Sequence, residues 1–101
     1  MSELELQRGA DGSYSLLVRG EIDLANAGRL RDLFDEAIEG GATRVVVDCR
    51  ELEFLDSSGI GVLVAARKRL GPEGELVLES PPAHVRKVLD ITGVTGQISV
   101  V

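Results

Sequence analysis

The chain has 101 residues, a formal net charge of −6 at pH 7, one cysteine and no tryptophan. This length fits one domain with a modest aliphatic core and leaves no room for a large enclosed substrate pocket. The negative charge argues against binding to nucleic acid or to an anionic membrane surface, because such binding needs a basic patch. One cysteine cannot form an internal disulfide, and neither a signal peptide nor a membrane span of roughly 20 apolar residues is recognisable. We therefore expect a soluble, cytoplasmic protein.

The first half of the chain predicts a hairpin and a helix. Apolar residues alternate with polar ones around the turn signal Asp11-Gly12, so residues 3–8 and 14–19 are predicted to pair. Asp23 is a candidate N-cap for the helix, because its carboxylate can accept hydrogen bonds from free backbone N–H groups. Gly40-Gly41 ends that helix, whose inner face has apolar residues at helical spacing: Ala27, Leu30, Phe34, Ala37 and Ile38.

The second half alternates between strands and helices. Residues 44–49 are typical of a central strand covered on both faces. Residues 57–70 predict a helix that is apolar nearly all round and therefore well buried. A strand over 75–79 follows, then a third helix started by Ser80-Pro81 and ended by Gly93, and a last strand within 98–101. We predict one α/β domain over residues 1–101, with a mixed four- to five-stranded sheet packed with about three to four helices.

The segment from Glu53 to Gly61 has the strongest functional signal. It leaves strand character at Leu55 and opens the second helix, whose first-turn N–H groups carry partial positive charge. Glycines at 59 and 61 would let another molecule approach the backbone. Ser58 places a hydroxyl there, and those N–H groups would partly compensate a phosphate that adds about two negative charges to the surface. The plainer alternative is a capped helix without any further function.

Residues 56–63, Asp-Ser-Ser-Gly-Ile-Gly-Val-Leu, closely resemble the signature of the STAS domain family, the anti-sigma-factor antagonists. Two more segments also resemble segments of the family, in the same order along the chain. Gly20-Glu21-Ile22-Asp23 resembles the second-strand and first-helix block, and residues 85–93 are similar to the last-helix block. Ile60 stands where leucine is more usual, which is a conservative change. The resemblance thus spans nearly the whole chain and is more specific than one motif.

The resemblance implies a partner and a switch. Members bind an anti-sigma factor that is itself a serine kinase of the histidine-kinase-like ATPase fold, and this binding releases the sigma factor. The kinase phosphorylates the second serine of the signature, here Ser58; the phosphoprotein no longer binds, and a metal-dependent serine phosphatase resets it. We expect a monomer or weak homodimer that is not an enzyme and holds no metal or cofactor. The partner-binding residues implied are Asp23, Asp56, Ser57, Ser58, Gly59 and Ile60.

Several of these residues have simpler interpretations. Ser57 is a second phosphosite, a group that orients Ser58 or, more simply, the helix N-cap. Asp56 is expected both to position the kinase's substrate segment and to cap the same helix. Asp23 lies at the edge of the partner surface or only caps the first helix. Cys49 is typical of a small core residue. His84 is typical of a solvent-facing helix residue, since no second His or Cys stands at metal-ligand spacing.

Two other functions compete with this interpretation. A serine hydrolase with Ser58 as nucleophile and His84 as base does not fit, because Asp56 stands where the nucleophile elbow needs glycine. A STAS-type scaffold or accessory subunit of a stress-signalling or lipid-transport complex keeps the fold and changes the partner. Such a scaffold would assemble by itself into a large particle, whereas an antagonist would gain mass only with its kinase.

Overall fold

The computed structural model describes residues 2–101, which form five strands, three α-helices and one 3-10 helix. Met1, which the predicted domain includes, lies outside the described residues. The elements in chain order are β1 (Glu3–Arg8), β2 (Ser13–Ile22), α1 (Ala27–Glu39), β3 (Arg44–Leu55), α2 (Ser57–Leu70), β4 (Glu75–Glu79), α3 (Ala83–Ile91), the 3-10 helix (Val94–Gly96) and β5 (Ser99–Val100). The predicted α/β fold class is confirmed.

The strands lie in sequence order, β1-β2-β3-β4-β5, in one mixed sheet. β1 and β2 pair antiparallel, as predicted, and the turn between them contains Asp11 and Gly12 with positive φ angles of 55° and 80°. The pairs β2–β3, β3–β4 and β4–β5 are parallel. Each parallel connection crosses the sheet through one of the α-helices, because parallel strands cannot be joined by a tight turn.

The three helices cover one face of the sheet. Buried side chains from alternate strand positions pack there against buried helix side chains: Leu16, Val18, Val45, Val47, Leu30, Phe34, Leu63 and Leu89. Most of the intervening strand positions are exposed or half-buried, namely Glu5, Ser15, Leu17, Val46 and Asp48, whereas Val77 of β4 is buried. The prediction that residues 44–49 are covered on both faces is therefore wrong. Their continuous apolar pattern does not reveal that one face of the sheet lacks a helix layer.

α2 spans Ser57–Leu70, as predicted, but it is not buried all round. Gly61 and Ala65 are exposed, and the helix buries only three residues: Gly59, Leu63 and Ala66. One side of α2 packs against the sheet and α1, and the other side faces solvent. None of the helices in residues 2–101 has the length and apolar character needed to cross a membrane.

The start of α1 differs from the prediction. The helix begins at Ala27 with Asn26 in the N-cap position, so Asp23 lies outside it. The Asp23 carboxylate accepts a hydrogen bond from the backbone N–H of Ala25 at 2.9 Å and closes a turn before the helix. Asp favours both caps and such turns, so the local pattern does not distinguish them.

The start of α3 also shifts along the chain. The helix begins at Ala83, after Pro82, and not at the predicted Ser80-Pro81. Ser80 has a φ of 54°, a left-handed backbone conformation that turns the chain out of β4 and cannot start a right-handed helix.

Candidate functional site

The signature segment lies where β2 and β3 end side by side. β3 runs without a break from the predicted residues 44–49 to Leu55, where strand character was predicted to end, and this extension pairs with β2 and not with β4. Ile22 is paired with Leu55, and the Asp56 N–H donates to the Ile22 carbonyl oxygen at 3.1 Å. The end of β2 therefore fixes the point at which α2 begins.

Asp56 is the N-cap of α2 and has an extended backbone. Its Oδ1 accepts hydrogen bonds from the backbone N–H groups of Ser58 at 2.9 Å and Gly59 at 3.4 Å. Its carbonyl oxygen accepts a third bond from the Ile60 N–H at 3.1 Å. The capping role expected of Asp56 is thus confirmed. The expectation that Ser57 is the cap is wrong, because Ser57 is the first helical residue and is exposed.

Asp56 oxygens already accept from the first-turn N–H groups that were predicted to compensate a phosphate. The N–H groups of Ser58, Gly59 and Ile60 all have Asp56 oxygens as acceptors. They are therefore not free to compensate a phosphate on Ser58, and that expectation is wrong for these three groups. Ser58 is half-buried in the first turn, so an added phosphate would lie beside a carboxylate and not in an empty anion site.

The two glycines of the segment have different surroundings. Gly59 is buried, and a Cβ atom there would lie 2.5 Å from Leu55 Cδ1 and 2.6 Å from Ile22 Cγ2. Its missing side chain therefore lets α2 pack on the ends of β2 and β3, which is an internal role and not the predicted open approach. Gly61 is exposed, and a Cβ there would meet nothing within 4 Å. Ile60 is half-buried and packs against the core.

The loop between β2 and α1 is held by the side chain of Asn26. Its Oδ1 accepts from the Asp23 N–H at 2.9 Å, and its Nδ2 donates to the Glu21 carbonyl at 2.7 Å and to the Ser2 hydroxyl at 2.8 Å. Asn26 was not among the residues predicted from the sequence, although Asp and Asn three residues apart are typical of side-chain-bonded turns. Leu24, in the middle of this loop, is 82% exposed.

The free edge of the β3 extension is next to the start of α3. The ring Nε2 of His84 lies 2.6 Å from the carbonyl oxygen of Glu53 and links helix to strand. His84 is exposed, as predicted. Phe54 follows Glu53 and is 51% exposed, whereas the next residue, Leu55, is buried. The exposure of Phe54 was not predicted, because a strand pattern does not show which apolar positions lack a covering layer.

Ion pairs lie on the sheet beyond the site. Arg19 bridges Glu51 at 2.9 Å and Glu3 at 3.3 Å, and these carboxylates raise the pKa of the Arg19 guanidinium. A side-chain hydrogen bond from Arg50 holds the pKa of the Asp48 carboxyl below its usual range. The two arginines are therefore paired with carboxylates of the same sheet.

In the part of the chain that the structure describes, no cluster of three His, Cys, Asp or Glu side chains is arranged to hold a metal ion.

Cys49 is buried in the core, as predicted. Burial, together with the nearby Asp48 charge, raises the pKa of the thiol to about 12. Cys49 also lines a cavity of about 10 Å³ whose other walls are apolar side chains of the sheet and helices. This space is about the size of one water molecule and too small for a substrate.

The chain matches a protein family over most of its length. The family described as "Mlab, STAS domain" matches residues 6–101. The anti-sigma F factor antagonist of Paenibacillus polymyxa is 34% identical over 97 residues, which cover 90% of this chain and 77% of that protein.

Two solved structures show the same fold. An anti-sigma factor antagonist from Mycobacterium paratuberculosis has a TM-score of 0.89 at 24% identity, covering 99% of this chain and 85% of that one. The Bacillus cell fate determinant SpoIIAA in its phosphorylated form has a TM-score of 0.77 at 23% identity, covering 98% of this chain and 91% of that one. An antagonist is a regulatory protein and not an enzyme, which agrees with the sequence analysis. The fold, the signature at the start of α2 and the match over residues 6–101 together show that this chain belongs to the STAS domain family.

Proposed function

We propose that the chain is a cytoplasmic anti-sigma factor antagonist, a single STAS domain over residues 1–101 that binds an anti-sigma factor serine kinase and releases its sigma factor. The observation that supports this most directly is the position of Ser58. It lies half-buried in the first turn of α2, at the junction of β2, β3 and the β2–α1 loop. The antagonist named among the relatives and the phosphorylated SpoIIAA structure support the same function by similarity. The partner surface comprises Asp23, Asp56, Ser57 and Ser58, shaped from below by Gly59 and Ile60.

Phosphorylation of Ser58 by that kinase would switch the protein off, and a serine phosphatase would restore it. The Asp56 carboxylate already accepts from the first-turn N–H groups, so the phosphate charge stays on the surface. At ~4 Å from a partner carboxylate, with an effective dielectric constant of about 20, repulsion is about 4 kcal/mol for each charge pair. That repulsion weakens binding roughly a thousandfold without any internal rearrangement.

The test is binding of the purified chain to each serine-kinase anti-sigma factor of the source genome, measured by titration calorimetry. Wild type and Ser58→Ala should bind one of them alike, and Ser58→Asp should bind at least about a hundredfold more weakly. With ATP, mass spectrometry should find one phosphate on Ser58 and none in Ser58→Ala. Ser57→Ala serves as the matched control and should still be phosphorylated. Equal binding of Ser58→Asp and wild type would refute the switch, and a wild type that binds no such kinase would refute the antagonist function.

A scaffold or accessory subunit of a larger complex is a second candidate. It is favoured by the sheet face without helices, where the apolar side chains of Leu17 and Val46 are half-buried and could contact a neighbouring subunit. Sedimentation velocity separates the two functions. An antagonist should sediment as a monomer or weak dimer and gain mass with its kinase, whereas a scaffold subunit should form a large particle alone.

A further inference from the structure

α1 and α2 lie side by side and run in the same direction. α1 follows Ile22 at the end of β2, and α2 follows Leu55, which is paired with Ile22, so the two helices begin close together. Both helices connect parallel strands and therefore run against the strand direction. Further along, Asp35 of α1 forms an ion pair with Arg69 of α2. This pair marks the sides on which the two helices face each other.

Ser58 and Arg31 both lie on these facing sides. Ser58 is about three full turns before Arg69, so the two side chains leave the same side of α2. Arg31 is about one turn before Asp35, so it lies on the side of α1 that faces α2. The groove between the two helices is therefore bordered by Ser58 on α2 and by Arg31 on α1.

The Arg31 side chain extends along this groove towards the start of both helices. A Cβ atom on Gly28 would lie 3.9 Å from Arg31 Nη2, which places the guanidinium beside the first turn of α1. At about 1.5 Å per residue, Gly28 is about 10 Å from Asp35 along α1. Ser58 is about 16 Å from Arg69 along α2. Measured from the ion pair, the guanidinium and Ser58 therefore differ by about 6 Å along the helix axes, which is about one helical turn.

The Arg31 guanidinium is exposed, and in the part of the chain that the structure describes no carboxylate lies within ion-pair distance of it. Asp35, one turn away, is paired with Arg69. Asp32 follows Arg31 in the chain but points to solvent, because it lies on the side of α1 opposite the buried Phe34. Arg31 is therefore free to bind an anionic group of another molecule.

The proposed switch depends on a partner carboxylate about 4 Å from the phosphate on Ser58. Before phosphorylation that carboxylate needs a cation, because an unpaired charge buried at an interface costs binding free energy. The carboxylates of Asp23 and Asp56 cannot supply one, although backbone N–H groups partly compensate their own charges. Arg31, about one helical turn from Ser58, can supply it.

We propose that Arg31 binds an Asp or Glu side chain of the anti-sigma factor, the same carboxylate that a phosphate on Ser58 repels. This inference rests on the proposed function and adds the residue that brings the partner's charge to the switch. The planar guanidinium can hold a carboxylate through two parallel hydrogen bonds. A phosphate on Ser58 would also attract this guanidinium, so phosphorylation removes the partner's cation as well as repelling its carboxylate.

The test compares two exposed arginines of α1, using the anti-sigma factor kinase identified by calorimetry. Arg29 is two residues before Arg31 and lies about 160° away around the helix, so it is the matched control on the side away from the groove. Arg31→Gln should weaken binding at least about tenfold, mainly through faster dissociation. Arg31→Lys, which keeps the charge, should lose less affinity. Arg29→Gln should bind within about twofold of wild type.

A double-mutant cycle with Ser58→Asp tests whether Arg31 and the switch act on one carboxylate. In the Ser58→Asp background, Arg31→Gln should change the affinity by less than about threefold, because the partner carboxylate is already displaced. If Arg31→Gln instead costs the same factor in both backgrounds, Arg31 acts independently of the switch and the proposal is wrong.

The single variants separate this contact from the proposed function. If Arg31→Gln binds like wild type, or if Arg29→Gln loses as much affinity, the assignment of Arg31 is wrong while the antagonist function stands. If the wild type binds no serine-kinase anti-sigma factor, the proposed function fails and the Arg31 contact fails with it. Urea unfolding midpoints equal to that of wild type will show that every variant is folded.

Discussion

The Asp56 carboxylate accepts a hydrogen bond from the backbone N–H of Ser58 at 2.9 Å, so the proposed phosphosite is held by the cap of its own helix. This hydrogen bond fixes the backbone of Ser58 in the first turn of α2. It also places a negative charge at the helix end where a phosphate would otherwise be stabilised. The structure therefore favours a phosphate that acts outward, on the partner.

The Asp56 cap makes a prediction about stability. Asp56→Ala should lower the free energy of unfolding by about 1 kcal/mol, because the Ser58 and Gly59 N–H groups lose their acceptor. Ser57→Ala, one residue further on, should change it by less than about 0.5 kcal/mol. Urea unfolding followed by circular dichroism gives both values. A larger loss for Ser57→Ala would show that the cap is misassigned.

The two glycines of α2 should respond in opposite directions to alanine. Gly59→Ala should destabilise the domain by about 1–3 kcal/mol, because its Cβ would overlap Ile22 and Leu55. Gly61→Ala should stabilise it by about 0.5–1 kcal/mol, since its Cβ meets no neighbour and alanine favours the helix. Thermal melts of the two variants make the comparison. Melting temperatures that shift in the same direction for both variants would contradict this packing.

We expect the Arg50–Asp48 ion pair to stabilise the folded protein to an extent that depends on pH. The hydrogen bond from Arg50 lowers the folded-state pKa of Asp48, so the folded protein holds this proton less tightly than the unfolded chain. The stabilisation is therefore complete above the ordinary Asp pKa of about 3.9 and is lost as the pH falls through the lower folded-state value. Arg50→Gln should be less stable than wild type at pH 7 and should approach it in acid.

The control for this pair is Arg86→Gln, at an exposed position of α3. Unfolding free energies of the three proteins, measured between pH 2 and 7, provide the comparison. If the difference in unfolding free energy between Arg50→Gln and wild type stays constant with pH, the Arg50–Asp48 pair is not the cause. The same conclusion follows if Arg86→Gln shows the same trend with pH.

We expect the Cys49 thiol to react slowly with thiol reagents in the folded state. Its side chain is buried and its pKa is raised to about 12, so little reactive thiolate exists at pH 8. A thiol reagent should therefore modify native protein at least about a hundredfold more slowly than urea-unfolded protein. Ser15→Cys in a Cys49→Ser background supplies an exposed thiol as the reference. Native Cys49 reacting as fast as that reference thiol would show that the core opens readily.

Most of the fold could be predicted from the sequence because local patterns determine most of the elements. Periodic apolar residues gave the hairpin and the bounds of α2, Ser57–Leu70. The predictions were wrong about the residues at which helices begin and about whether helices cover one or both faces of the sheet. Asp and Ser can serve as caps, turns or first helical residues, and an apolar run does not show whether one or both faces of its strand are covered.

The sequence by itself determined the α/β class, the STAS family and the segment around Ser58, because each depends on residues close together in the chain. Only the tertiary structure decided that Asp56 is the cap, that Gly59 fits against Ile22 and Leu55, and that Asn26 holds the loop between β2 and α1. These facts depend on the parallel pairing of β2 with the extension of β3, which joins residues distant in sequence. No local propensity encodes that contact, since the packing of α1 and α2 over the sheet determines it.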